Sequence, residues 1–443
     1  MFPREWLYVV PDNYSYILYA PLHKMTFRLT NSAANNIRTI LDGNLPVTTI
    51  QSEIFNFLES LNLLSLPESS LDKKSHKIFL SITNKCNLRC IYCYASAGAD
   101  NSTMNFETAK NAIDYQLQQV VDASSNKIAI TFHGGGEALV ELKLLMKIVE
   151  YINELTSRHE LKPVLGLVTN ATLVTKEIAT WLAVNFSHLT ISLDGTQEVQ
   201  NTQRPNAVNI DSFDKAMSGI QNLINEKVNF SIRATVTGLS VNRMAEFVYF
   251  VKENIFLDGG NLDFEPVSLC GRAKNNSNVV TTNAEVFLKN YIRARQVGRD
   301  IGIDVTCSMD TFGSVKDNFC GASQAELQCF TPDNLLSACT RVTKQSDDGA
   351  SLFFYGTVQN NHVNIDSSAK EKIKLFGSTF GVECFTCYAR RNCQGGCPIS
   401  RLNDKENFEQ ACYVTKALLI QDIKNALETH STNPVSNQDV LHE

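Results

Sequence analysis

Much of what fixes a chain's partners is missing from this one. Its 443 residues carry no block of lysine or arginine, and the formal net charge is −6. A chain without a concentrated basic face is a poor fit to nucleic acid. No apolar run reaches the length that crosses a bilayer, so a membrane-spanning helix is excluded. The opening residues, Met1-Phe-Pro-Arg-Glu5, do not read as a targeting peptide. No repeat of fixed period is present beyond an alternation of strand and helix patterns. Thirteen cysteines are an odd number, and without a signal peptide they do not form a secreted disulfide framework. They gather at 86–93, 320–339 and 384–412, which predicts metal sites in a reducing cytoplasm. A hydrophobic content of 43% over this length predicts a large core in two or three domains.

What is present is a cysteine triplet. In Cys86-Asn-Leu-Arg-Cys90-Ile-Tyr-Cys93 the gaps are three and two residues, and the apolar run Ile78-Phe-Leu-Ser-Ile82 before it reads as a buried strand. Three thiolates at a strand end can hold three irons of a cubane iron–sulfur cluster and leave the fourth iron open to a small molecule. A structural site closes that position, as four-ligand zinc sites do. A zinc knuckle, or free buried thiols, is the plainer reading of the same triplet. The aromatic Tyr92 stands just before its last cysteine.

Around the triplet the chain falls into units. Residues 1–70 hold three short strand patterns, at 6–10, 15–19 and 25–29. Asn31 is the expected cap of a helix that runs to Leu41 and stops at Asp42-Gly43. Two more short helical pieces are expected between 48 and 63, with Ile50, Ile54, Phe57, Leu58 and Leu61 on one face. A polar linker follows at 65–75. From 76 to 300 strands are expected near 77–83, 127–133, 164–170, 188–193, 229–236 and 261–266. Helices are expected near 106–122, 139–156, 175–186, 212–226, 243–254 and 283–297. Six such pairs predict an α/β fold whose parallel sheet curls into a partial barrel. The loops after the strands' C-terminal ends then form the active site.

Those ends carry the polar residues. His133-Gly-Gly-Gly-Glu137 ends the second strand; its glycines let backbone approach a ligand, and Glu137 can accept from an ammonium group. Asn170 ends the third strand, and Ile191-Ser-Leu-Asp-Gly195 ends the fourth. Arg233 is a cation in an apolar strand and needs an anionic partner, either a ligand carboxylate or an internal ion pair. Glu265 ends the sixth strand; it and His133 are the candidate acid or base groups. From 305 to 427 the rhythm changes to short strands, turns and cysteines. Cys384, Cys387, Cys393 and Cys397 are followed by Cys412; upstream stand Cys320, Cys329 and, after the turn Thr331-Pro-Asp-Asn334, Cys339. Cys270 and Cys307 fit no pattern and read as buried free thiols. Residues 428–443 are a polar tail.

The triplet and its setting resemble the radical S-adenosylmethionine (SAM) superfamily. The resemblance implies a cluster on Cys86, Cys90 and Cys93, whose open iron binds the amino and carboxylate groups of SAM. It further implies that Gly135, Gly136 and Glu137 meet the methionine end, Ala138 standing where the family has proline, and that Tyr92, Asn170, Ser192, Asp194 and Arg233 shape the SAM pocket. Residues 1–70, with Tyr-Ala-Pro-Leu, Asn-Ser-Ala-Ala and Leu-Asp-Gly, resemble a winged-helix-like, PqqD-like domain that binds a precursor leader peptide as an added strand. A winged-helix cap that only packs on the barrel is the plainer alternative. Residues 305–427 resemble the SPASM extension with two auxiliary four-iron clusters, Asn334 replacing the turn glycine. That likeness implies Cys320, Cys339 and Cys397 for the first and Cys384, Cys387, Cys393 and Cys412 for the second. Cys329 is the candidate fourth ligand of the first; otherwise that iron is open.

Together these imply three [4Fe-4S] clusters, SAM, an external electron donor and a precursor peptide that gains a C–C, C–O or thioether crosslink. Sulfatase maturases, which make formylglycine, are the nearest alternative. That family has an aspartate directly after the cysteine matched by Cys339, where this chain has Thr340, and it lacks a leader-binding domain. A non-catalytic metal-binding scaffold is the alternative of another class.

Overall fold

A computed structural model describes residues 6–13, 15–44, 46–67, 77–208, 211–256 and 259–430. The first unit holds β1 (Tyr8–Asp12), β2 (Ser15–Ala20) and β3 (Met25–Leu29), an antiparallel sheet in that order, then α1 (Asn31–Leu41) and α2 (Thr49–Ser60). The helix cap is Thr30 rather than Asn31: its hydroxyl accepts from the Ala33 N–H, and Asn31 is already helical. The stretch expected as two short helical pieces is one helix among the described residues, started by Thr48 accepting from the Gln51 N–H. The linker beyond residue 67 lies outside the described residues. So does the tail beyond 430.

The small sheet is covered on both faces. Leu18, Ala20 and Leu29 pack with Ile37, Ile54 and Leu58 of the two helices. Tyr8, Val10, Ile17 and Tyr19 face Leu419, Ile423 and Leu427 of the closing helix, Lys405–His430.

The main body alternates β4 (Lys77–Leu80), α3 (Phe106–Asp122), β5 (Lys127–Phe132), α4 (Leu142–Arg158), β6 (Lys162–Thr169), α5 (Lys176–Asn185) and β7 (His188–Ser192). It continues with α6 (Gln197–Gln203), α7 (Phe213–Asn225), β8 (Phe230–Val236), α8 (Met244–Asn254), β9 (Asn261–Pro266) and α9 (Ala284–Ile301). All six expected strands form, and neighbours pair in parallel. Two differences matter. A short β10 (Asp304–Thr306) adds a further parallel strand to β9. At the other edge β11 (Gln328–Phe330) pairs in parallel with β4 and leads into β12 (Leu335–Ser337), β13 (Phe354–Gln359) and β14 (His362–Ile365), all antiparallel. The cysteine-rich region therefore continues the sheet of the barrel, eleven strands in all among the described residues. Cys329 sits beside Phe79 across that junction. Three-residue strands with little alternation gave no period to read, which is why neither β10 nor this continuity was expected.

Candidate active site

The Cys86–Cys93 loop leaves β4 at the end where every parallel strand of the barrel stops. Backbone from three other segments grips it. Arg89 and Ile91 donate N–H groups to Pro205 and Gln203 carbonyls at 2.7 and 2.9 Å, and Ala207 N–H reaches the Asn87 carbonyl at 3.0 Å. The loop after β9 closes the other side: Arg272 donates from its backbone to the Cys93 carbonyl at 2.9 Å. The Arg272 guanidinium donates to the carbonyls of Cys90 and Ala97, both at 2.7 Å. The glycine turn lies beneath, with Gly136 N–H on the Thr83 carbonyl at 2.8 Å and Glu137 N–H on Lys85 at 2.9 Å. At Gly135, φ is +64°, and an added Cβ would crowd Ser81 Oγ and Asn84. Those two side-chain oxygens are buried without hydrogen-bond partners.

The three thiols fit a cluster of the expected kind in their chemistry. Burial first, then neighbouring thiols or carboxylates, pushes Cys86 up to about 12 and Cys90 to about 11, although Arg204 opposes the shift at Cys90. A bound cation inverts that preference by replacing the proton. The Leu88 and Ala97 N–H groups donate to the sulfurs of Cys86 and Cys93, each at 3.4 Å, and such bonds tune a cluster's electronics. Among the described residues no three His, Cys, Asp or Glu side chains close on a point as a single metal ion needs. In a cubane each thiolate takes its own iron, so the three sulfurs need not converge on one point.

The residues expected to shape the SAM pocket divide into two sets. Tyr92 and Asp194 are buried and tied together: the tyrosine hydroxyl donates to the carboxylate. Asp194 also accepts from Gln203 Nε2 at 2.8 Å and the Thr235 N–H at 3.0 Å, and it pairs with Arg204 at 3.4 Å. Glu137 accepts from Thr169 Oγ1 and the Asn170 N–H at 2.8 Å and the Leu139 N–H at 3.2 Å. Asn170 Nδ2 reaches Asn87 within the triplet loop at 3.0 Å. These groups hold loops to strand ends. Arg204, whose guanidinium donates to the Tyr92 hydroxyl at 2.7 Å, was missed; one arginine just past a short helix gives no sequence signal.

The second set faces an open space. A cavity of about 530 Å³ is walled by Cys90, Tyr92, Cys93, His133, Ser192, Arg204, Arg233 and Glu265 on the barrel side. Adjacent strands bring three of them into register: Ser192 lies beside Arg233, which lies beside Asp263, and Thr235 beside Glu265. Arg233 is half-exposed rather than buried, and its Nε donates to Asp263 at 2.6 Å. The internal ion pair therefore forms, while the side chain still faces the cavity. Burial, with Asp263 nearby, pushes Glu265 up to about 7. Its oxygens accept from the N–H and hydroxyl of Ser308 at 2.7 and 2.8 Å. Burial, then Arg233 and Lys77, lowers His133 to about 4, so it stands neutral.

The far wall carries Cys384, Cys387, Cys393, Cys397 and Cys412. Electrostatic neighbours sort these cysteines into two groups: Cys320 and Cys339 feel Cys397, whereas Cys384, Cys387 and Cys393 all feel Cys412. A wider depression of about 740 Å³ adjoins the cavity, sharing Tyr94, Ser268, Cys270 and Arg341. No helix among the described residues is long and apolar enough to cross a membrane.

Residues 80–251, less than half of the chain, match the family model of the Radical SAM superfamily. An uncharacterized protein of Methanocaldococcus jannaschii is 36% identical over 181 residues, 41% of this chain and 59% of that one. The cysteine-type anaerobic sulfatase-maturating enzyme of Clostridium perfringens is 25% identical over 173 residues, 39% of this chain and 46% of the enzyme. The match thus spans about half the length of these relatives. Among solved structures, native anSMEcpe with bound AdoMet has a TM-score of 0.64 at 20% identity, covering 80% of this chain and 99% of that one. SuiB of Streptococcus suis bound to precursor peptide SuiA has a TM-score of 0.52 at 15% identity, covering 90% and 96%. At those identities the likeness is one of fold. The likeness to the Radical SAM superfamily rests on residues 80–251, the stretch that includes Cys86, Cys90 and Cys93.

Proposed function

We propose that this chain is a radical SAM enzyme that modifies a ribosomally made precursor peptide, forming an intramolecular crosslink. The observation that carries the reading is the single cavity between the Cys90 and Cys93 loop and the C-terminal cysteines, with Glu265 and Arg233 on its wall. The fold likeness to SuiB, solved with its precursor peptide, adds support. Cys86, Cys90 and Cys93 would hold the SAM-binding cluster, which when loaded supplies one electron to cleave SAM and start hydrogen abstraction. The Arg233 guanidinium, half-exposed to the cavity, would meet a carboxylate there, and Ser192 would add a hydroxyl beside it. Glu265, poised near 7, would take the proton that leaves the substrate radical as the new bond forms. The two C-terminal thiol groups would hold auxiliary clusters that carry the remaining electron to an external acceptor. The peptide would enter through the adjoining polar depression, and its leader would add to an edge of the β1–β3 sheet.

A second reading, formylglycine formation on a protein substrate, is favoured by the 25% identity to a sulfatase-maturating enzyme. Thr340 on the cavity wall counts against it, because the alternative calls for an aspartate base there. One anaerobic experiment separates the readings. The reconstituted protein should hold about twelve irons per chain, as three four-iron clusters require, and release 5′-deoxyadenosine from SAM. The precursor peptide encoded beside the gene should then lose two hydrogens. Conversion of a sulfatase peptide instead would establish the second reading. No SAM cleavage, or cleavage that survives alanine at Cys86, Cys90 and Cys93, would overturn both.

A further inference from the structure

Cys270 fits no sequence pattern, yet it stands where the first group of C-terminal thiols lacks a member. It lies on the loop after β9 that also clamps the triplet, and its Sγ accepts from Arg341 Nη2 at 2.8 Å. Arg341 ties it to that group. The backbone N–H of Arg341 donates to the Cys339 sulfur, and its guanidinium feels Cys270, Cys397 and Cys339, in that order. Cys270 and Cys397 share the cavity wall. Cys329, the candidate suggested by its place on the hairpin, is fully buried in β11, and of the cysteines only Cys339 acts on it. A cubane ligand must stand comparably close to all three of its partners, so Cys329 lies on the wrong side of Cys339.

We propose that Cys270 is the fourth thiolate of the first auxiliary site, joining Cys320, Cys339 and Cys397, and that Cys329 is a core thiol. The assignment rests on the proposed function, which puts an iron–sulfur cluster there. It gives the half-buried Arg341 a role: a cation beside four thiolates offsets their charge and, by hydrogen bonding to sulfur, tunes the cluster. It also places a single loop, residues 268–276, in contact with both the SAM cluster loop and the first auxiliary site. The two metal sites would then share one wall.

The test uses the full-length protein with Cys86, Cys90 and Cys93 replaced by alanine, so that only the auxiliary sites fill. Reconstituted anaerobically, this background should hold about eight irons. Adding Cys270→Ala should lower the count to about seven and yield, after mild oxidation, the paramagnetic resonance signal of a three-iron cluster. Adding Cys329→Ala should leave iron and spectrum unchanged. Should Cys270→Ala misfold, Cys270→Ser keeps the loop and supplies a harder ligand; it should retain about eight irons with an altered spectrum. Iron loss in Cys329→Ala with none in Cys270→Ala overturns the assignment, and so does iron loss in neither. A background that holds about four irons or fewer refutes the auxiliary-cluster reading itself, which separates the two failures.

Discussion

The two thiol-rich regions of this molecule reach similar ends by opposite routes. The Cys86–Cys93 thiols come from one loop of eight residues, and backbone from residues 203–207, 268–276 and the glycine turn fixes that loop from every side. The C-terminal thiols arrive on separate pieces: Cys320 before a short turn, Cys339 after β12, Cys384–Cys397 on and between short helices and Cys412 on the closing helix. A local loop writes its geometry into sequence spacing. A site assembled from distant pieces writes it into tertiary packing. The first site should therefore fail through its clamps and the second through its scaffold.

The sharpest way to break the comparison is at the clamp. Gly271 has φ +54°, and an added Cβ would fall inside contact distance of the Tyr94 and Cys93 carbonyls. Both overlaps are with backbone of the triplet loop, so no side chain can swing away. Gly271→Ala should cost the proposed SAM site its cluster and, through the adjoining Cys270, one iron of the first auxiliary site, taking iron from about twelve to about seven and abolishing 5′-deoxyadenosine. Iron analysis beside the resonance spectrum of the proposed auxiliary sites checks this; equal loss from both regions would erase the distinction. Arg272→Ala, which removes two guanidinium bonds to carbonyls, should act the same way more weakly, at about 3 kcal/mol.

A step down in size, Asp194 holds the same loop from below. Its side chain is fully buried and accepts from Tyr92, Gln203, Thr235 and Arg204. Asp194→Asn leaves the Arg204 cation without its charge partner, which for a buried pair costs about 3–5 kcal/mol. Urea unfolding of the metal-free protein measures it. A loss under about 1 kcal/mol would mean that the network is not held by charge.

Much of this was legible in sequence, for a physical reason. The six barrel strands are each four to eight residues of apolar run ended by polar or glycine residues, so period and punctuation both point to them. Glu265, Ser192 and Arg233 followed because side chains at parallel strand ends share one mouth. The roles within that mouth were less legible. Glu137 and Asn170 sit at strand ends as expected, yet their polar atoms are spent on Thr169, Leu139, Thr172 and Asn87. Pattern places a residue at a site's edge but does not say which way its bonds run. Arg204 and Arg341 were invisible for the same reason: each reaches a partner more than fifty residues away, Tyr92 and Cys270.

Glu265 gives a chemical test with smaller effect. Its carboxyl is raised from 4.5 to about 7, chiefly by burial and then by Asp263. The unfolded chain ionises this group in the ordinary range, while the folded protein keeps the proton until about pH 7. The stability it contributes is complete below the ordinary carboxylate range and is lost as pH rises toward 7. As a base, the ionised form should make turnover climb about tenfold per pH unit below 7 and level off above it. Glu265→Gln should flatten that limb and the matching slope in thermal stability. A variant with the wild-type pH–rate profile would remove Glu265 from the chemistry.

The mildest change probes whether the two regions are as independent as their construction suggests. The Tyr19 hydroxyl donates to Asn392 Oδ1 at 3.0 Å, joining the small N-terminal sheet to the residue before Cys393. Asn392 in turn donates to the Thr311 and Ser314 carbonyls at 3.1 and 2.9 Å, on the same loop whose Ser308 holds Glu265. Tyr19→Phe leaves a buried acceptor unmet and should lower stability by about 1–2 kcal/mol with no loss of iron. If the regions are separate, the auxiliary resonance spectrum and the pH–rate profile stay as in wild type. A change in either would mean that contact at the N-terminal sheet reaches the cavity through Asn392, one hydrogen-bonded residue linking the small N-terminal unit, the second thiol group and the candidate base.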